Sequence, residues 1–118
     1  MVSFTLTVPS MPPDITAGFN LSSTSLTIGW SHIPPEFVNG ILLGYVIAYQ
    51  ISIEAGSSQN VPIALEPGEL SKNITDLLVY TEYCVRVAGR TRIGTGNWSE
   101  CFNITTDEEG KPTIKQQF

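Results

Sequence analysis

In the stretch Leu77-Leu78-Val79-Tyr80-Thr81-Glu82-Tyr83-Cys84-Val85-Arg86-Val87-Ala88, the residues Tyr83, Val85 and Val87 alternate with Cys84, Arg86 and Ala88. A repeat of two belongs to a β-strand, whose successive side chains point to opposite faces. The large apolar set is expected to face a core and the other set to face outward. Neighbouring stretches show the same pattern. Leu26, Ile28 and Trp30 share a face, as do Tyr45, Ile47 and Tyr49, although Val46 and Ala48 make that strand apolar on both sides. Leu70 and Ile74 point inward, and so do Phe102 and Ile104, against Cys101, Asn103 and Thr105. A first strand near Ile15 to Phe19 and a weak one from Ile51 to Ile53 bring the count to seven. Turn signals recur about every ten residues, among them Pro12-Pro13-Asp14, Asn20 to Ser25, Asn39-Gly40, Pro67-Gly68 and Gly94-Thr95-Gly96. Helical signals are nearly absent, so the pattern is that of a β-sandwich or small barrel.

The 118 residues suffice for one domain with a full core and are too few for two. Apolar residues make up 42%, which excludes a disordered tail, and only 14% are charged. Net charge is −5, and the six Lys and Arg are scattered singly, so the basic stripe of a nucleic-acid or anionic-membrane binder is missing. The longest apolar run, Ile41 to Tyr49, is far short of the roughly 20 residues of a membrane-spanning helix. Met1 to Thr5 lacks the pattern of a signal peptide, and Met1 reads as a start added to a segment of a longer chain. Four of the six asparagines, Asn20, Asn73, Asn97 and Asn103, sit in Asn-x-Ser/Thr. Ser and Thr make up about a fifth of the chain, so chance would supply about one such site; the excess points to an extracellular glycoprotein.

Taken in order, these marks resemble a fibronectin type III domain over about Pro12 to Asp107. A Pro-Pro lead-in (Pro12-Pro13) is followed by a lone Trp on the second strand (Trp30), then by Asn39 to Tyr49, similar to the family's third strand and the turn before it. Leu77 and Tyr83 stand six apart, as in the family's corner, where a tyrosine hydroxyl bonds back to nearby backbone. Gly94-x-Gly96 and Ser99 match its last hairpin. The resemblance implies an all-β, seven-stranded Greek-key sandwich of immunoglobulin type, with Trp30, Tyr45, Leu77 and Tyr83 in its core. Lys72 departs from the pattern, because it shares the parity of Leu70 and Ile74. Either it is an inward charge at a sheet edge, which would discourage edge-to-edge pairing, or the register slips there.

Cys84 and Cys101 lie outside the common family pattern. Both fall on the outward face of the last two strands, nearly equidistant from the turn at Gly94, which makes a cross-strand disulfide geometrically credible. The rival, two buried free thiols, would turn Tyr83 and Val85 outward.

Catalytic chemistry is sparse. His32 is the single histidine, next to Ile33-Pro34-Pro35, and one His with two paired Cys cannot build a usual zinc site. No phosphate loop, nucleophile elbow or His-Glu-x-x-His occurs. Asp107-Glu108-Glu109 reads as a solvated linker rather than a calcium site, since consecutive carboxylates at a strand end cannot all face one ion. No cofactor, no metal and no enzymatic activity of the domain itself are expected; a tyrosine phosphatase or kinase domain could lie elsewhere in the parent chain. Trp98-Ser99 is half of the Trp-Ser-x-Trp-Ser box of cytokine receptors, with Glu100-Cys101 where the second half would begin.

The expected organisation is a linker over 1–11, a domain over 12–107 and a linker over 108–118, one repeat of a tandem array. The expected function is a non-catalytic protein-binding and spacer module in the ectodomain of a cell-surface receptor or adhesion protein. The alternative is the ligand-binding domain of a cytokine-receptor-like protein. Its partners would be other proteins and neighbouring domains, with neither nucleic acid nor membrane insertion, and the isolated domain would be monomeric. The candidate interface is the outward face at Val46, Ala48, Arg86 and Ala88, where small apolar residues surround one Arg; the alternative is that Val46 and Ala48 only reflect strand propensity.

Overall fold

The alternating segments become strands in a computed structural model that describes residues 6–53, 59–61 and 70–109. In chain order they are β1 (Ile15–Ser22), β2 (Ser25–Trp30), β3 (Gly44–Ile51), β4 (Gln59–Val61), β5 (Ser71–Ile74), β6 (Glu82–Arg90), β7 (Thr95–Trp98) and β8 (Phe102–Thr105), with a single turn of 3₁₀ helix at Pro35–Phe37. One antiparallel sheet has the order β1-β2-β5; the other has the order β4-β3-β6-β7, with β8 also on β6. Strands β7 and β8 follow one another along β6 and act as one strand broken at residues 99–101. The Ser99 N–H donates to Val87 O (2.9 Å) and the Val87 N–H to Ser99 Oγ (3.0 Å), which carries the ladder across the break. Counted so, the architecture is a sandwich of three strands on four.

The two inward sets meet in one core, which contains Leu26, Ile28, Trp30, Tyr45, Ile47, Ile74, Leu77, Tyr83, Val85, Val87 and Ile104. Tyr49 and Phe102 pack against it as expected, only partly buried. Trp30 sits edge-on to Tyr45 across the two sheets, with centroids 5.4 Å apart. Large aromatic area in a core about 10 Å thick lets few residues close both sheets. Burial raises the Tyr45 phenol above its usual pKa; that ring packs on Trp30, so the shift reflects packing and not a poised acid or base.

Four expectations change in detail. The weak strand at Ile51 to Ile53 is not separate: Ile51 ends β3, and Ser52 and Ile53 form a turn. The missing strand is β4, paired to β3 from Ile47 to Tyr49. The turn read over Asn20 to Ser25 narrows to Ser23-Thr24, because β1 stays paired with β2 to Ser22↔Ser25. Lys72 pairs with Ile28 and keeps the inward parity, but β5 is an edge strand and the side chain is exposed. Last, the stretch expected to be a linker is packed down from Thr7 onward. Thr7 N–H donates to Asn39 O and Ser10 N–H to Phe37 O, and Pro9 is fully buried. Gly96 is what admits it: a Cβ there would stand 2.3 Å from Pro9 O, so the backbones can touch only where the side chain is absent.

The corner forms as the resemblance implied. Tyr83 is buried, and its hydroxyl oxygen accepts the Leu78 N–H at 2.9 Å, with Leu77 buried beside it. Tyr83→Phe removes that acceptor and should lower stability by about 1–2 kcal/mol with the fold intact. An unchanged urea midpoint would show that the corner bond contributes nothing.

Candidate interaction surfaces

The outward face of β3 and β6 carries the residues expected there, but they are not open to a partner. Val46 pairs with Ala88 and Ala88 with Trp98, while Ala48 pairs with Arg86. The Arg86 guanidinium lies over the Trp98 ring, 6.0 Å from its centroid. Small side chains in these rows sink beneath the two long ones, leaving Val46, Ala48 and Ala88 only 5%, 2% and 0% exposed. The apolar patch read from the sequence is therefore closed, and of the four residues only Arg86 reaches solvent. Trp98 and Ser99, the half box, have structural tasks: one covers the sheet and the other bridges the break in its last strand.

On the same face Cys84 and Cys101 form a disulfide, with Cα atoms 5.2 Å apart. The direct partner of Cys84 is Asn103, so the bridge runs diagonally from the residue just before β8. The four sequon asparagines all lie on strands, Asn20 in β1, Asn73 in β5, Asn97 in β7 and Asn103 in β8. Two use their amide nitrogen: Asn97 Nδ2 donates to Ser10 O at 2.8 Å, and Asn20 Nδ2 donates to the Asp107 carboxylate. Asn73 is exposed and accepts a bond from Thr27 Oγ1 through Oδ1, and Asn103 is exposed. Asp107 is tied into the fold, its N–H donating to Ser22 O and its carbonyl accepting the Tyr80 N–H. His32 is exposed in its loop, and among the described residues no group of three or more His, Cys, Asp or Glu is placed to hold a metal. Among the same residues no helix is long and apolar enough to cross a membrane.

The surface that sequence reading missed lies at the end of the sandwich where the chain comes in. Leu6, Ile41, Leu43 and Ile93 are 53%, 81%, 43% and 54% exposed and surround a groove of about 410 Å³ with Thr91 and Arg92 on its wall. The Asn39-Gly40 turn builds it: Asn39 takes a left-handed φ of 63°, which asparagine tolerates, and throws Ile41 outward. Exposed Ile93 amid polar hairpin residues was the one local signal available. At the opposite end of β3 and β6, Ile53, Leu78 and Tyr80 flank a second groove.

Comparison with known proteins agrees with this geometry. A family model of the fibronectin type III domain matches residues 10–105. The chain is 40% identical over 96 residues to protein sidekick-1 of Gallus gallus, covering 80% of this chain and 4% of that protein. It is 33% identical over 105 residues to the cell adhesion molecule DSCAM of Rattus norvegicus, covering 86% and 5%. The solved fn3 domain of human contactin 1 superposes with a TM-score of 0.73 at 22% identity, over 95% of this chain and 91% of that one, a likeness of fold.

Proposed function

The chain belongs to the fibronectin type III family, and from that premise we propose that it is a non-catalytic, extracellular protein-binding and spacer module. Its unit is residues 12–107 together with Thr7 to Met11, which pack onto them, one repeat of a tandem array in a cell-surface receptor or adhesion protein, continued through 108–118. One observation carries this reading: the match takes in most of this chain but only 4% to 5% of the length of sidekick-1 and DSCAM. A segment of that proportion is a building unit of a long protein, and DSCAM is named a cell adhesion molecule. The Cys84–Cys101 bridge suits an oxidising compartment, and Asn73 and Asn103 present exposed side chains for glycans. His32, the single histidine, is exposed in its loop, and among the described residues no group of three or more His, Cys, Asp or Glu is placed to hold a metal.

The test is made in the parent protein displayed on cells. Deleting residues 12–107 should weaken cell–cell aggregation, and an unrelated sandwich of equal length put in their place should restore it in part. Surface labelling without permeabilisation should reach the domain. Aggregation indifferent to the deletion would remove the adhesion reading, and labelling only after permeabilisation would remove the extracellular one.

A further inference from the structure

The chain enters and leaves this domain through its two apolar ends. At the N-terminal end Leu6 is itself part of the groove formed with Ile41, Leu43 and Ile93. Thr7 is fastened there twice, by its N–H to Asn39 O (3.0 Å) and by its carbonyl, which accepts from Thr91 Oγ1 (3.1 Å). Asn39 Nδ2 holds the next carbonyl, that of Val8, at 3.1 Å. Leu6 and Thr7 therefore bring the chain into the domain at the groove. At the other end Tyr80, beside Ile53 and Leu78, donates its N–H to Asp107 O at 2.9 Å, where the last strand runs out.

We propose that the N-terminal groove is a joint, occupied by the domain that precedes this one in the same chain. The proposal rests on the tandem reading above and names the surface that would serve it. Size decides between an attached occupant and a free one. A free partner needs about 800 Å² on each side for a stable interface, and four part-exposed side chains offer well under that. A domain joined through a few residues is held at an effective concentration in the mM range, so a small apolar contact suffices. Contacts between domains of one chain are commonly about 600–1,500 Å² in total and more polar than obligate interfaces, which suits a groove walled by Thr91 and Arg92. The outward face of β3 and β6 has no such opening, because Trp98 and Arg86 close it.

The experiment uses the parent chain from the start of its preceding domain through residue 118, as wild type and as Ile41→Ser/Ile93→Ser. Both side chains are solvent-exposed, so the 118-residue chain should keep its urea midpoint with the same two changes. In the wild type both domains should tumble as one body, with a correlation time close to twice that of the 118-residue chain, and the amide signals of residues 41 and 93 should shift. In the double variant the two domains should tumble separately. Free tumbling of the wild type, or tight coupling that survives the double variant, overturns the joint. Concentration-dependent self-association of the 118-residue chain that Ile41→Ser abolishes overturns it in favour of a second copy. A parent chain with no folded domain upstream removes the tandem reading itself, an outcome distinct from a neighbour that is present and uncoupled.

Discussion

Trp30→Ala should destabilise the domain by about 3–5 kcal/mol, read from the urea midpoint. The indole is 2% exposed and spans the gap between the sheets, edge-on to Tyr45. It stands at the end of β2, where its own N–H donates to Leu70 O, so the backbone is held while the side chain is removed. The surrounding strands cannot collapse into the void, because both sheets are pinned by their ladders. Domains of this kind have only about 5–15 kcal/mol to lose, so the variant would stand near the edge of folding. Trp30→Phe separates volume from polarity. The indole Nε1 is buried with no hydrogen-bond partner among the described residues, so replacing it sacrifices area but also relieves an unpaired donor. Phe should therefore cost distinctly less than Ala. A loss below about 1 kcal/mol for Ala would mean that the core is not organised around this ring.

Removing the disulfide should have the next largest effect. Cys84 and Cys101 are 17 residues apart, and closing a loop of that size withdraws chain entropy from the unfolded state equivalent to about 3 kcal/mol. Cys84→Ala/Cys101→Ala is the appropriate pair, since Cys84 is buried and a serine there would bury a hydroxyl without an assured partner. The double variant and the reduced wild type should unfold at the same lowered urea concentration. The register of β6 with β8, Tyr83↔Ile104 and Val85↔Phe102, does not involve the bridge, so the folded state should keep its secondary structure. A reduced protein that unfolds at the oxidised midpoint would show that the bridge adds no stability.

The strands and their inward faces were legible because alternation is a local property. Tyr83, Val85 and Val87 declare a face whatever they meet across the core, and Trp30 and Tyr45 announce themselves by size. The pairing of Cys84 with Cys101 followed from the same parity, since residues on one face near one hairpin turn come within reach. The ordered family marks added the corner, and Tyr83 closes it on the Leu78 amide. The edge strand Gln59–Val61 left no comparable trace, because edge positions carry little periodicity.

What alternation cannot give is depth. It assigns Val46, Ala48 and Ala88 to the outward face, but whether outward means exposed depends on the length of the side chains in the next strand. Trp98 and Arg86, brought alongside only by the β6–β7 pairing, put that face under cover. The groove at the N-terminal end is likewise a product of assembly. Leu6, Ile41, Leu43 and Ile93 come from three segments separated by dozens of residues, and only the folded chain lays them side by side. Sequence alone determined the fold and the core because both depend on short-range patterning of the backbone. Tertiary structure decided which surface remains open, because that depends on which distant side chains become neighbours.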